Sequence, residues 1–252
     1  MNYKDISNNI KNFINTPIFK VVYIISLIIT FCILLGTKQS LPELSYFELY
    51  YVLLTNPSFV LFNYFFISLI ASISFFYNIN KRYSYIIRLK SKKEYLIYLL
   101  KNIWIVNIFI FIIITLSCLI LLNIFGNDFS LSPFANYNIP NIIYIIYILI
   151  RLLILCGLLS VISILSLLLI NNKIVIVANL LLYGMIKEQP IRLSLRQSLT
   201  DFTFWIGNYI IPDIYSSFLL DICCTSLFLI IIIILIIIIF NFVLKKMNQV
   251  GV

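Results

Sequence analysis

The segment NIIYIIYILIRLLILCGLLSVISILSLLLI, residues 141–170, spans thirty residues and contains one charged side chain, that of Arg151. As an α-helix it would measure about 45 Å, longer than the roughly 30 Å of hydrocarbon in a bilayer. Similar apolar runs recur along the chain of 252 residues, which is 62% hydrophobic and 11% charged. Soluble domains carry about 25% charged residues, so this composition predicts an integral membrane protein.

The apolar runs predict an all-α bundle, because they lack strand alternation and a helix satisfies its own backbone hydrogen bonds in lipid. The six predicted membrane spans are residues 20–36, 57–78, 102–125, 141–170, 174–187 and 218–244. The fifth run is short for a span and predicts a half-buried or distorted helix. No polar segment is long enough for a soluble core, so one transmembrane domain is expected over residues 1–252.

Three segments outside the spans have their own patterns. Residues 2–16 place apolar side chains at helical spacing opposite Lys and Asn, which predicts an amphipathic helix in the headgroup region. Residues 37–56 are expected to form a loop whose aromatic side chains suit a membrane interface. Residues 188–217 mix charges with apolar residues at helical spacing, which predicts short re-entrant helices in the outer membrane face.

Positive charge is concentrated in residues 81–101, KRYSYIIRLKSKKEYLIYLLK, which hold seven of the eighteen Lys and Arg residues and one acid, Glu94. With six spans, the side that holds both termini carries thirteen cations and two acids, against four cations and seven acids opposite. The positive-inside rule therefore predicts cytoplasmic termini in the plasma membrane. The net charge of +9 then reflects topology and anionic lipid, so no nucleic-acid partner is expected.

Ser91 and Glu94 form the pattern of a capping box, which predicts a helix that starts at Lys92 and continues into the third span. Residues 80–90 are thereby set apart as a short segment with apolar and basic side chains at helical spacing. Two interpretations remain for this segment. It is a basic loop held to anionic lipid, or a short surface helix that docks into another protein.

The residue types needed for catalysis are scarce. The chain has no His, which excludes HExxH zinc proteolysis and histidine general-base catalysis. Its nine carboxylates are scattered and no phosphate-binding loop is present, so ATP would have to bind another chain. The five cysteines lack metal-ligand spacing: Cys32, Cys118, Cys156, Cys223 and Cys224. No enzymatic activity, metal or cofactor is expected on this chain.

Arg151 is the one charge deep in a predicted span, and it has two interpretations. It lies near mid-membrane and faces a cavity or partner, where a charge costs at least a few kcal/mol and usually has a function. Alternatively, residues 141–150 lie at the outer surface and Arg151 snorkels to the headgroups, which is the preferred interpretation. On the same run, Gly157, Ser160 and Ser163 indicate a helix-packing seam rather than a substrate path.

Over its whole length this layout resembles the six-span permeases of type-2 ATP-binding-cassette exporters, also called the type V exporter fold. The shared features are the N-terminal elbow helix, the basic segment after span two, the short turn after span four and the outer re-entrant segment. Residues 86–101, IIRLKSKKEYLIYLLK, are similar to the corresponding segment in permeases linked to peptide antibiotics and toxins. Residues 167–179, LLLINNKIVIVAN, are similar to the turn between their spans four and five.

The resemblance implies that residues 80–90 are a cytoplasmic coupling helix that docks on a separately encoded ATPase. The implied contact residues are Tyr83, Ile86, Ile87, Arg88 and Lys90. It further implies two ATPase copies that hold ATP and Mg, and a second permease subunit, identical or different. The implied substrate is an amphipathic peptide (antibiotic, bacteriocin or toxin) or a lipid-like compound. The alternative is an ATP-independent immunity or accessory protein that binds such a peptide.

Overall fold

The computed structural model describes residues 11, 13–40, 45–80, 91–125, 133–134, 139–170 and 218–249. Its α-helices are α1 Pro17–Ser40, α2 Tyr46–Thr55, α3 Pro57–Val60, α4 Ile67–Asn80, α5 Lys92–Phe125, α6 Asn141–Ile170 and α7 Phe218–Gln249. A π-helix, Leu61–Phe66, joins α3 to α4. Strand β1, Pro133–Phe134, pairs antiparallel with β2, Ile139–Pro140. The described chain is thus almost entirely helical, as predicted.

Four described helices are long and apolar enough to cross a membrane: Phe19–Gln39, Lys92–Phe125, Ile142–Ile170 and Asp221–Asn248. They coincide with predicted spans one, three, four and six, and are compatible with a membrane-embedded protein. The second predicted span is helical throughout, but its apolar part, Leu61–Tyr77, is shorter than the other four. The fifth, residues 174–187, lies outside the described residues, so the six-span arrangement stays a prediction.

Helix α5 begins where the capping pattern predicts. The backbone N–H of Glu94 donates to Ser91 Oγ at 3.2 Å, and the helix starts at Lys92. Its 34 residues give a rod of about 51 Å, which extends well before the predicted span at residues 102–125. The exposed Lys93 and Lys101 therefore belong to the same continuous helix as the apolar segment.

The predicted loop at residues 37–56 is wrong. Helix α1 continues to Ser40, and α2 fills Tyr46–Thr55. A complete capping box starts α2: Glu48 N–H donates to Ser45 Oγ at 3.4 Å, and Ser45 N–H donates to Glu48 Oε2 at 2.9 Å. Burial also raises the pKa of Tyr46, which stays a neutral donor to the Leu119 carbonyl oxygen at 3.2 Å. Of the aromatic side chains in this segment, Tyr46 and Tyr50 are buried, and Phe47 and Tyr51 pack partly buried against the core.

Helix α6 lies at the centre of the bundle and packs against α2, α4, α5 and α7. Over an apolar segment of 18 residues in this helix, 56% of the residues are buried. Helix α7 packs chiefly on α6, and only 11% of the residues in its apolar segment of 18 residues are buried. At the N-terminal end, Phe13 is buried against Phe19, with ring centroids 5.0 Å apart. The rest of the predicted amphipathic helix, residues 2–10 and 12, and the re-entrant segment, residues 188–217, lie outside the described residues.

Candidate functional site

Polar side chains are buried at several levels of this apolar bundle. Burying a polar group costs free energy unless the group is hydrogen-bonded, so each buried side chain has to find a partner within the protein. Three groups of such side chains join different sets of helices. The buried members with side-chain partners are Ser26, Thr30, Asn63, Ser72, Asn107, Arg151, Ser160, Asp221 and Thr225.

The charged group lies between α6 and α7. Arg151 Nη1 donates to Asp221 Oδ2 at 2.9 Å, and the two side chains are 5% and 0% exposed. One turn before Arg151, the ring of Tyr147 faces the guanidinium, whose carbon is 5.1 Å from the ring centroid. The hydroxyls of Tyr147 and Thr225 share a hydrogen bond of 3.2 Å. Tyr147, Arg151, Asp221 and Thr225 together are called the ion-pair cluster below.

The spacing of the four residues along their helices explains how the side chains of this cluster meet. Residues four apart lie on one face of a helix, so Tyr147 and Arg151 on α6 face Asp221 and Thr225 on α7. Thr225 Oγ1 also donates back to the Asp221 carbonyl oxygen at 2.8 Å. Asp221 lies in the first turn of α7, where the helix dipole favours a negative charge. The cluster therefore fixes the register of α7 against α6.

The ion-pair cluster lies far from the C-terminal end of α6. Arg151 comes ten residues after Asn141 and eighteen before Leu169, which is about 15 Å and about 27 Å of helix. At the latter end, Lys246 Nζ donates to the Leu169 carbonyl oxygen. Lys92 Nζ there donates to the Met247 carbonyl oxygen. Helices α6 and α7 are thus held at two levels by polar contacts, with apolar packing between them.

The side chain of Arg151 is buried and paired with Asp221 inside the described bundle. The depth of Arg151 in the bilayer and its functional role stay predictions. Sequence reasoning missed the partner: Asp221 was counted among the external acids. A usable signal was present, since Asp221 stands in FLLDICC at the start of the last apolar run. An acid and a base in separate apolar runs are natural partners.

A neutral group joins three helices at Asn107 of α5. Its Nδ2 donates to Ser72 Oγ of α4 at 3.0 Å and to the Ile103 carbonyl oxygen at 2.9 Å. Its Oδ1 accepts from Ser160 Oγ of α6 at 3.2 Å. Asn107 is fully buried, and both ends of its amide are hydrogen-bonded. This residue therefore ties α4, α5 and α6 together.

The π-helix brings a second amide into the core. Asn63 is fully buried, accepts from Ser26 Oγ through Oδ1 and donates through Nδ2 to Thr30 Oγ1 at 3.2 Å. Both partners lie on α1, so Asn63 ties the second apolar run to the first. A π-helical turn displaces side chains relative to a regular helix and is frequent at functional sites.

The predicted seam of small residues on α6 is a packing surface at Gly157 and Ser160. A Cβ at Gly157 would lie 2.5 Å from Trp104 Cζ3, so only glycine lets this indole approach the α6 backbone. Ser160 donates to Asn107 in the same seam. Small residues let membrane helices approach closely, which is how helices without a hydrophobic drive associate in lipid.

Comparisons with protein-family models, curated proteins and solved structures find no match. The predicted coupling residues, Tyr83, Ile86, Ile87, Arg88 and Lys90, lie outside the described residues, so their role stays a prediction. Cys32, Cys118, Cys156 and Cys223 are free thiols, and no cluster of metal-ligating side chains occurs within the described ranges. Of the predicted site residues, the structure thus describes Arg151 alone and gives it the partner Asp221.

Proposed function

We propose that this chain is the permease subunit of an ATP-binding-cassette transporter in the bacterial plasma membrane. It moves an amphipathic peptide or a lipid-like compound, and a separately encoded ATPase hydrolyses ATP. The observation that carries the proposal is the buried Arg151–Asp221 pair between two apolar helices. Charges in membrane helices cost several kcal/mol and characteristically mark substrate paths or moving elements. A helix that only anchors a protein in lipid has no need of them.

The packing of α7 supports a moving element. Helix α7 packs chiefly on α6 and exposes most of its apolar surface. Its polar contacts to α6 include the ion-pair cluster at one level and the contact from Lys246 to the Leu169 carbonyl oxygen at the other. A rearrangement of such contacts can shift a helix without unpacking a large core. In the proposal, opening of the Arg151–Asp221 pair accompanies exposure of the transport path.

The length of α5 supports coupling to a partner. This single helix starts at Lys92, directly after the proposed coupling segment at residues 80–90, and reaches Asn107 at the bundle centre. Fifteen residues separate Lys92 from Asn107, about 22 Å of rigid helix. A displacement of the coupling segment would therefore be felt where α4, α5 and α6 meet. Two permease and two ATPase subunits, with ATP and Mg on the ATPase, complete the proposed assembly.

One experiment tests the partner. The tagged chain, purified from native membranes, should retain an ATPase with a phosphate-binding loop, identified by mass spectrometry. The double variant that carries both Ile86→Ala and Arg88→Ala should no longer retain that ATPase subunit. The matched control, Lys93→Ala with Ile97→Ala, removes one cation and one isoleucine from an exposed face of α5 and should retain it. An intact chain that retains no ATPase would support the ATP-independent immunity protein instead.

A second experiment separates a transport role of the ion pair from a structural one. Replacing Arg151→Met together with Asp221→Leu removes both charges at similar volume, which for buried pairs is often neutral or stabilising. The double variant should insert and retain its ATPase, yet lose transport of the peptide, measured as survival of cells exposed to it. Full transport by a stable, uncharged variant would remove the ion pair from the mechanism.

A further inference from the structure

The C-terminal end of α7 is held to the bundle by two lysine side chains. Lys92 Nζ, at the start of α5, donates to the Met247 carbonyl oxygen in the last turn of α7 at 2.5 Å. Lys246 Nζ of α7 donates to the Leu169 carbonyl oxygen in the last turn of α6. Carbonyl groups in the last turn of a helix lack partners within that helix, and a lysine both donates to them and complements the helix dipole. The two contacts therefore link the start of α5 to the ends of α7 and α6.

Helix α7 is buried near its two ends but not along its middle. The buried side chains near the N-terminal end share one helix face: Asp221, Thr225, Phe228 and Ile232. From residue 233 to residue 242 every side chain is half-buried or exposed, and burial resumes at Val243. Because α7 is one unbroken helix of 32 residues, both contact regions belong to a single rod of about 48 Å. A shift of one end of this rod therefore moves the other end.

We propose that Lys92 is a positioning residue for the ion-pair cluster and acts on that cluster through α7. While Lys92 holds the C-terminal end of α7 on α5, Asp221 near the other end meets Arg151. When Lys92 releases Met247, α7 tilts and the ion pair opens. Asp221 and Met247 are 26 residues apart, about 39 Å of helix, so Lys92 acts without touching the pair. The inference rests on the proposed function in treating α7 as the moving element, and it adds the residue that controls the motion.

The exposed middle of α7 makes this control possible. Within lipid, an apolar helix surface gains little by facing protein instead of hydrocarbon, so the Ile and Leu side chains of the middle do little to fix the helix. The polar contacts near the two ends then decide where α7 lies. Helix α6 differs, because its burial along much of its length holds it in place without such end contacts.

Distances between spin labels, measured by electron paramagnetic resonance on the purified chain in phosphatidylcholine vesicles, test this control. The five native cysteines are replaced by alanine, and label pairs are attached to new cysteines at exposed positions. One pair, at Ile143 of α6 and Leu219 of α7, reports on the ion-pair end. The other pair, at Ile97 of α5 and Asn248 of α7, reports on the lysine end. Lys92→Met should lengthen both mean distances by about 2 Å or more, the scale of helix shifts in switching proteins.

Matched variants separate Lys92 from positive charge in general. Lys92→Arg keeps a long cationic donor and should retain both parent distances. Lys93→Met removes the neighbouring, exposed cation and should retain them as well. If Lys92→Met fails to insert, Lys92→Gln, which is shorter and uncharged, should give the same lengthening. A change confined to the lysine end would reduce Lys92 to a local contact and overturn the proposal, as would unchanged distances at both ends or equal changes with Lys93→Met.

The distance measurement needs neither the ATPase nor transport, so its outcome is separate from that of the proposed function. A chain without an ATPase partner that still shows both distance changes would remove the transport proposal and keep the control by Lys92. A chain that retains its ATPase and shows no change at the ion-pair end would do the reverse.

Discussion

Helices α6 and α7 are both dominated by Ile and Leu, yet α6 is central in the bundle and α7 is peripheral. Over an apolar segment of 18 residues in each helix, 56% of the residues of α6 are buried but only 11% of those of α7. The difference follows their small and polar residues. Helix α6 carries Gly157 and Ser160 along its middle, whereas α7 is an uninterrupted Ile and Leu segment over residues 229–239. Hydrocarbon does not drive two apolar helices together within lipid, so close approach and hydrogen bonds decide which helix becomes central.

The largest expected effect comes from breaking the ion pair that joins the two helices. Asp221→Ala leaves the Arg151 guanidinium charged and buried, which should destabilise the protein by about 3–5 kcal/mol. The measurement is the midpoint of unfolding in mixed micelles with an increasing fraction of sodium dodecyl sulfate. Exchanging the charges, Arg151→Asp with Asp221→Arg, should restore only part of the loss, because arginine at the start of α7 opposes the helix dipole. A single variant as stable as the parent chain would mean that the pair contributes nothing to holding α7.

The next largest loss of stability is expected at Gly157, and it tests whether small residues allow α6 to pack at the centre of the bundle. Gly157→Ala places a methyl group 2.5 Å from the Trp104 ring, and such overpacking should cost about 1–3 kcal/mol. Gly36→Ala on α1 is the control, because nothing lies within 4 Å of its added Cβ. This control should be neutral or slightly stabilising, since alanine favours a helix over glycine by about 0.5–1 kcal/mol. Equal unfolding midpoints for the two variants would contradict the packing of Trp104 on α6.

A smaller loss is expected at the neutral junction of α4, α5 and α6. Asn107→Leu removes the hydrogen bonds to Ser72 and Ser160 while keeping a similar volume. Hydrogen bonds between membrane helices contribute about 0.6 kcal/mol on average and up to about 1.7 kcal/mol, so the loss should fall in that range. A double-mutant cycle with Ser160→Ala measures the coupling directly. A loss as large as that of Asp221→Ala would show that charge is not what makes the ion pair costly to break.

The smallest effect belongs to the exposed face of α7. Ile234 is 51% exposed, and Ile234→Ala should change stability by less than about 0.5 kcal/mol because the side chain lies on the surface and not in the buried core. Two residues earlier, Ile232 is 6% exposed, so Ile232→Ala removes a buried side chain and should lower stability more than Ile234→Ala does. Comparing the two unfolding midpoints tests which face of α7 is turned toward the bundle. A reversed order would mean that α7 is rotated.

Much of the helical layout could be predicted from local signals. The run at residues 141–170 coincides with α6, and Ser91 with Glu94 predicted the start of α5 at Lys92. Helix α2 was missed because its ten residues are too few for a span and its aromatic side chains suggested an interface. The Ser45 and Glu48 pattern that starts it is the same capping box that was used at Ser91. Recognising that repeat would have found the helix from the sequence.

The sequence by itself therefore determined the apolar helices and the caps that begin two of them, because hydropathy and capping depend on residues close together in the chain. The tertiary structure decided which polar groups meet. Arg151 and Asp221 are seventy residues apart, and Asn107 is 35 residues from Ser72 and 53 from Ser160. Such pairings depend on how the helices pack and rotate against one another. Apolar runs that all satisfy lipid equally well do not encode that choice in any local pattern.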